Sequence, residues 1–503
     1  MAEKNRASSM AIVEEVTAGT PVAPSSGTEF IALQEGFSIS PKVDVQSNNE
    51  LRNNIGLSKN ILGVERPDGS FDHYFRHSGV EGQAPGYDLL LESCVGPVDI
   101  NATERTTAAA STVSLLKLAA GGTDFAKGKA VLVKDSTYSV RPVDSVATND
   151  LTLGFELPTA PAAGISTGKC VNYSPSSDGT DLKTFTGWLY RGGGGALEVI
   201  AGARVTQMGI SIAAGNLINA SYSFAGTKYY FDPIRISATD IYLDFTSDNG
   251  TFAAVITAQL YNSPHELASA LSSAMEAADP LETYTVVYQD ADGKFKITSS
   301  STVLSLLWNT GANTANTVGD KIGFSTAADD TGAGGTVGYT SDNAQSWAPS
   351  LTPSYDSADP LVAKNNEVLI GDSNDTSCFC ASSIDITVTN DVQDVECICA
   401  TSGIQDKIVS QRSVEISVVG ILERHDADKF NKFINNSDVK FMLNLGNKTG
   451  GNWVPGTVAS IYVPQATISA HEAGDNNGLV TMNITIRPYV AVDGSGEFFI
   501  NFL

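Results

Sequence analysis

The stretch SSIDITVTNDVQ (residues 382–393) decides the fold, because the chain uses its pattern twice. The earlier copy is GFSISPKVDVQ, residues 36–46. Apolar and polar residues alternate in both, which is typical of a strand with one buried face. Both copies place Asp-Val-Gln where the strand runs into a polar segment. A repeat of this length indicates a supersecondary unit that is used twice, rather than a short motif.

The segments that follow each copy predict the same order of elements: a long polar loop, a second strand and a short helix. These segments are residues 47–60, 69–77 and 87–94 after the first copy, and residues 394–411, 412–422 and 426–435 after the second. Two such units can lay their strands into one continuous sheet.

Composition excludes several classes of protein. The chain has 503 residues, 17% of them charged, and a net charge of −25 without a cluster of Lys or Arg. A protein that grips DNA needs basic patches to neutralise phosphates, so this chain would repel DNA. The N-terminus lacks an apolar signal core, and no run of about 18 apolar residues predicts a membrane span.

The duplicated unit built on SSIDITVTNDVQ and GFSISPKVDVQ resembles the tail tube protein of long-tailed bacteriophages, over about residues 28–103, 180–232 and 380–490. This resemblance implies a mainly β fold with short helices. The duplicated β-sandwich or barrel would contribute four long strands of each subunit to a hexameric inner β-barrel, which leaves no free sheet edge.

The resemblance also implies an organisation into core segments and two inserted domains. The parts are an N-terminal arm (1–27), the first half of the tail-tube core (28–103), an inserted small β-barrel domain (104–178), core strands (179–232), an inserted α+β domain (233–350), a connector (351–381) and the second half of the core (382–503). In the second insertion, Ser263, Pro264 and Glu266 predict the start of a helix with a capping box.

The implied function is that of a structural virion protein and not an enzyme. Hexameric rings would stack into the tail tube and form an acidic, non-adhesive channel for DNA delivery into the host. The implied partners are further copies of the chain, the tape-measure protein and DNA in the lumen, and tail terminator and distal tail proteins, without a membrane. The protein would be assembled in the host cytoplasm and reside in the virion tail.

Strand alternation gives candidate lumen-lining residues once the barrel is assumed. The polar positions of the second copy are Asp385, Thr387, Thr389, Ser413, Glu415 and Ser417, with Ile and Val between them. A two-sheet sandwich with one solvated face would give the same alternation, so this pattern alone does not choose between the two architectures.

The two polar loops are predicted to be the contacts between stacked rings. Long loops in a structural protein call for a role, and the few bulky apolar residues in these loops are the candidate anchors. The anchors are Leu51, Ile55, Leu57, Ile404 and Ile408.

No cofactor is predicted, and the metal candidates are weak. Cys378 with Cys380 and Cys397 with Cys399 form two Cys-x-Cys pairs, each with both thiols on one face of a strand. Four thiols would converge on zinc only if the two segments were neighbours, and the usual zinc spacing is longer. The alternative is that these cysteines are small buried apolar residues, with or without an oxidised pair.

Catalytic motifs are missing from the sequence, and three other classes of function compete with the tail tube. His73 and His77 share a face of one strand and are predicted to be surface or lumen-facing imidazoles. A bacterial surface or adhesin protein would be acidic and β-rich, but it should carry a signal peptide. A capsid decoration protein or other virion surface protein would not need the internal duplication. A glycan-cleaving enzyme needs paired carboxylates in a groove.

Overall fold

The computed structural model describes residues 5–50, 56–333, 338–421, 427–476, 478–491 and 494–503. Strands dominate these ranges and helices are few and short, which confirms the mainly β fold class. Of the helices in these ranges, none has the length and hydrophobicity needed to cross a bilayer.

Up to residue 191 the described elements are mainly short strands, with one α-helix among them. They are β1 (Ser9–Glu14), β2 (Phe30–Ile31), β3 (Ser38–Ser40), β4 (Val43–Gln46), β5 (Ile61–Glu65), β6 (Asp68–Tyr74), α1 (Asp88–Cys94), β7 (Val98–Asn101), β8 (Leu115–Lys117), β9 (Ala130–Lys134), β10 (Tyr138–Ala147), β11 (Asp150–Leu153), β12 (Cys170–Tyr173) and β13 (Phe185–Arg191).

The middle of the chain contains one very long strand and the longest helix. Its elements are β14 (Ala196–Ala213), β15 (Asn219–Ala225), β16 (Lys228–Phe231), β17 (Ile234–Arg235), β18 (Tyr242–Ser247), β19 (Gly250–Val255), β20 (Leu260–Tyr261), α2 (Pro264–Ala278), β21 (Tyr284–Gln289), β22 (Lys294–Ser299), β23 (Val303–Leu306), β24 (Asp330–Ala333) and β25 (Gly338–Thr340).

The last part of the chain contains three more long strands. Its elements are β26 (Glu367–Gly371), β27 (Ala381–Glu396), β28 (Ile404–Ile421), α3 (Ala427–Ile434), β29 (Val439–Leu445), β30 (Lys448–Thr449), β31 (Asn452–Trp453), β32 (Ala459–Asn476), β33 (Leu479–Pro488) and β34 (Phe499–Phe502). Short 3-10 turns occur at Asn5–Ala7, Gly27–Glu29, Gly122–Asp124, Thr314–Asn316 and Gly319–Ile322.

The chain divides into two compact units. One comprises Met1–Met10, Trp188–Ile200 and Tyr229–Thr352. Its core gathers apolar residues from its strands around α2, whose buried residues include Leu267, Leu271 and Met275. As predicted, α2 begins after Ser263, whose hydroxyl accepts a hydrogen bond from the Glu266 amide at 3.3 Å.

The other unit comprises Ala11–Gly187, Ala201–Lys228 and Pro353–Leu503. It includes the antiparallel sheet β8–β11–β10–β9, which has its own apolar core. Isolated bridges connect the outer strands of this sheet through Thr107–Leu118, Thr106–Ser166 and Val133–Thr167. The division of the chain into inserted domains stays a prediction.

The same unit holds a sheet in which eight strands follow one another in two identical sets. The first set is β3–β6–β15–β14, the second is β27–β28–β33–β32, and β14 pairs directly with β27. All these pairs are antiparallel. The two copies of the repeat therefore form one continuous sheet, with four strands from each copy.

The two sets also pair in the same register. In the first hairpin the corresponding pairs are Ser38–Ser70 with Asp385–Ser417, and Ser40–Asp68 with Thr387–Glu415. In the second hairpin of each set, Ile210–Ala220 of β14–β15 corresponds to Ala473–Met482 of β32–β33. In each of these two hairpins the register shifts at one bulge on the longer strand. The repeat extends to individual residue pairs.

One sequence-based boundary is wrong. Residues 394–411 are predicted to be a loop, but β27 extends to Glu396 and β28 begins at Ile404, so only the turn 397–403 separates two long strands. Hydrogen bonds between β27 and β28 pair the backbone N–H and C=O groups of this hairpin, so its strands form without an apolar core. The predicted connector (351–381) contains β26, which pairs along its length with β29.

Candidate assembly surfaces

The eight-strand sheet has one polar face and one apolar face. On the apolar side Ile384, Ile386 and Val388 are buried, as are Val414, Ile416 and Val418 of the next strand. The polar side carries the residues between them. This alternation agrees with the pattern predicted from the sequence.

The six predicted lumen residues lie on this polar face and opposite one another. Asp385 pairs with Ser417, Thr387 with Glu415 and Thr389 with Ser413 across β27 and β28. Asp385, Thr389, Ser413 and Glu415 are exposed, whereas Thr387 and Ser417 are half-buried. The face continues through both sets of strands with Ser70, Asp72, Gln207, Ser211, Asn219, Ser221 and Thr485.

Several charges on this face are partly neutralised within the subunit. Arg487 Nη2 lies 3.0 Å from Glu415 Oε2, and Lys42 pairs with Asp68. Asp385 accepts a hydrogen bond from the Ser211 hydroxyl at 2.6 Å. Exposed pairs of this kind add little stability, so their main effect is on the potential of the face.

Each copy extends a hairpin arm beyond the sheet, and the two arms contact each other. The first arm is β4–β5 and the second is the distal part of β27–β28. Arg66 joins them: its guanidinium lies 3.1 Å from Asp44 and 2.7 Å from Glu396, and it also pairs with Asp394. The Asp44 and Glu396 carboxylates raise the pKa of Arg66 further above its usual value.

The predicted inter-ring anchors have different environments. Leu57 is fully exposed and Ile408 is half-exposed, but Ile404 is buried within the subunit at 3% exposure. Ile404 is therefore covered by its own chain. Leu51 and Ile55 lie outside the described residues. Exposed apolar residues that were not predicted from the sequence lie on the strands of the first arm (Val45, Ile61 and Leu62) and in the turn after β27 (Ile398).

The two edge strands of the eight-strand sheet are the short strand β3 and the long strand β32. Within the described residues β3 pairs only with β6, and the distal part of β32, near Ala473, pairs only with β33. Ala473 is exposed, whereas Ile210, its counterpart in the first set, is covered by Ile386 of β27 and is 1% exposed. Ala473 thus has the position of a residue at a strand junction but lacks the neighbouring strand.

The four cysteine candidates do not converge. Cys378 and Cys380 precede β27, whereas Cys397 and Cys399 follow it, so a strand of 16 residues separates the pairs. At about 3.3 Å per residue that strand is about 50 Å long. The thiols of one subunit therefore form no common zinc site, and no metal-binding group of His, Cys, Asp and Glu occurs within the described ranges.

The two neighbouring histidines are buried, contrary to the prediction of surface imidazoles. Phe71, His73, Phe75 and His77 alternate on the apolar face of β6 and its extension. His73 stacks on Tyr222 with 5.4 Å between ring centroids, and its Nδ1 lies 2.9 Å from the Tyr74 carbonyl oxygen. Burial lowers the pKa of His73 from 6.5 to about 4.

Comparison with known proteins gives a family for the first part of the chain. Residues 5–232 match the family model described as phage tail tube protein. No curated protein matches the chain. Among solved structures the chain is similar to the tail tube of SPP1, determined by solid-state NMR and cryo-electron microscopy, at 12% identity and a TM-score of 0.21 over 27% of this chain and 77% of that one.

The matched residues contain the complete first set of strands, β3, β6, β14 and β15. The second set lies outside the match, but it repeats the first set in strand order and register. The resemblance inferred from the duplicated stretch is confirmed. Residues 5–232 thus carry the similarity of this chain to phage tail tube proteins.

Proposed function

We propose that copies of this chain join edge to edge into rings whose polar sheet faces form one closed lumen, and that the rings stack into the tail tube. The observation that carries this proposal is the β14–β27 junction, where the last strand of one set pairs with the first strand of the next. The same pairing between β32 of one copy and β3 of another would continue the sheet without changing its geometry.

The internal register supports a particular contact between subunits. Ile210 pairs with Ile386 inside the chain, so Ala473 would pair with Ile39 of the adjoining copy. Ile39 is the counterpart of Ile386 in the first hairpin. Closing the ring in this way would cover the exposed Ala473 and pair the remaining backbone groups of both edges.

The number of subunits follows from the number of strand sets. The resemblance implies a ring of six units with four strands each, and this chain supplies two such sets. Three subunits would therefore complete the barrel for which six were expected from the sequence. Six subunits would instead give a barrel with twice as many strands.

The lumen would be polar and acidic, with Asp385 and Glu415 among its residues. Hydroxyl and carboxylate groups hold water and repel phosphate, so DNA would pass without adhering. In this proposal the tape-measure protein and DNA occupy the lumen. The tail terminator and distal tail proteins cap the tube, which is assembled in the host cytoplasm and needs no enzymatic activity.

The proposal is tested by expressing the full chain and examining it by electron microscopy and native mass spectrometry. We expect stacked rings with a central channel, and a ring mass equal to three chains. A ring of six chains would contradict the count but not the tube. A chain that stays monomeric both in solution and in virions would refute the function.

A charge reversal tests the lumen. Asp385→Lys should leave rings intact, because this side chain is exposed and its hydrogen bond to Ser211 is a surface contact. A basic ring in the channel would attract phosphate, so DNA ejection from the virion should slow several-fold at low salt and recover at high salt. Asp385→Asn is the matched control. Normal ejection by the lysine variant would contradict a lumen position.

A further inference from the structure

The turn that joins β27 and β28 presents one apolar side chain to solvent. Ile398 is completely exposed, with Cys397 and Cys399 on either side. The turn itself is hydrogen-bonded: the Cys397 amide donates to the Gly403 carbonyl oxygen at 3.0 Å, and the Gly403 amide donates to the Ala400 carbonyl oxygen at 3.0 Å. A fully exposed isoleucine on a hydrogen-bonded turn is not accounted for by the fold of the subunit.

A pocket of about 240 Å³ lies at the opposite end of the same strand. Its apolar lining comes from several elements of the same unit and includes Ile212, Val368, Phe379, Ile384, Leu443 and Leu445. Cys378 and Cys380 also line it, and both are exposed, whereas Phe379 between them is buried. Because an apolar cavity of about 150 Å³ can hold benzene, this pocket has room for an isoleucine side chain.

The turn and the pocket are complementary, but they cannot meet within one chain. The turn carries an exposed isoleucine between two thiols. The pocket beside the other two thiols is lined mainly by apolar side chains, and Asn365, Asn366, Ser382 and Ser383 complete its lining. The 16 residues of β27 hold them about 50 Å apart. A surface at one end of a subunit that fits a surface at its other end makes a head-to-tail contact, which generates an open stack when the contact does not close into a ring.

From this arrangement we propose that Ile398 of one copy inserts into the Phe379 pocket of a copy in the neighbouring ring, which brings Cys397 and Cys399 beside Cys378 and Cys380. This inference rests on the proposed function, because it needs stacked rings. It names the residues that hold one ring on the next and fixes the polarity of the stack.

Oxidation of assembled tubes tests the contact directly. Diamide takes up two hydrogen atoms as two nearby thiols become a disulfide, so treated tubes should yield chains linked between Cys397 or Cys399 and Cys378 or Cys380. Peptide mass spectrometry identifies the link. Cys94 and Cys170 are buried and should remain reduced, which serves as an internal control. Cross-links between Cys397 or Cys399 of two copies, or none between chains, would overturn the proposal.

Substitution of the inserted residue gives the second test. Ile398→Asp should leave folded subunits and single rings but reduce stacking at least about tenfold, since a carboxylate would enter an apolar pocket. Ile398→Leu should stack normally. The matched control is Leu281→Asp, which changes another exposed aliphatic residue, 77% accessible, far along the chain. Normal tubes from Ile398→Asp contradict this contact alone, whereas a wild-type chain that forms no tubes contradicts the proposed function as well.

Discussion

A subunit carrying Ala473→Glu is expected to fold normally and to remain outside rings. Ala473 is exposed in the isolated subunit, so a glutamate there meets water. In the proposed ring the same side chain would occupy the position that corresponds to Ile210, which is 1% exposed at the internal junction. Burial of an unpaired carboxylate costs several kcal/mol, and every junction of the ring would incur this cost.

The experiment compares sedimentation and electron microscopy of the variant with those of two controls. Ala473→Val keeps the position apolar and should form rings at the wild-type level. Glu472→Gln changes the adjacent residue on the opposite face of β32 and should also assemble. Circular dichroism and thermal unfolding verify that Ala473→Glu is folded. Rings in normal yield from this variant would show that β32 is not the edge that adjoins the next subunit.

The alternating strands were predicted well from the sequence because alternation records burial directly. In β27 each apolar residue from Ile384 to Val388 is buried and each polar residue between them lies on the other face. The repeat was also visible in the sequence, since Asp-Val-Gln marks the same place in both copies. The fold class and the family resemblance depended on these two signals.

The arms were predicted poorly because a hairpin that leaves the sheet has no apolar side to reveal it. The apolar residues of the segment 394–411 do not alternate regularly with polar ones, so the pattern that marks a half-buried strand is absent. Their strand structure comes from ladder hydrogen bonds and from contacts such as that of Arg66 with Glu396, which lies 330 residues further along the chain. Pairings of such long range are not encoded in local sequence.

The position of the histidines could have been found from the sequence. In GSFDHYFRH the residues Phe71, His73, Phe75 and His77 occupy alternate places, and the two phenylalanines indicate the buried face. The prediction of surface imidazoles followed residue type instead of this periodicity. The structure shows that strand alternation is the better guide, because a neutral imidazole can stack among aromatic rings.

The burial of His73 predicts a loss of stability in acid. Its pKa is about 4 in the folded chain and 6.5 when unfolded, so the unfolded state binds the proton more tightly. The folded state therefore keeps its full stability above pH 6.5 and loses it progressively as the pH falls toward 4. A difference of this size corresponds to about 3 kcal/mol. Burial lowers the pKa of His77 in the same direction, which adds to the effect.

The test measures the free energy of unfolding in urea for wild type and His73→Phe between pH 7.5 and pH 4. Both chains share the same carboxylates, so the difference between their curves isolates the contribution of His73. At pH 7.5 the variant should be less stable by about 1 kcal/mol, because it lacks the hydrogen bond from His73 Nδ1 to the Tyr74 carbonyl. At pH 4 it should be the more stable of the two. His265→Phe is the comparison variant, since it makes the same substitution at an exposed histidine outside β6. If the curves of wild type and His73→Phe remain parallel down to pH 4, His73 is protonated without cost, and the strand β6 must open locally to admit the proton.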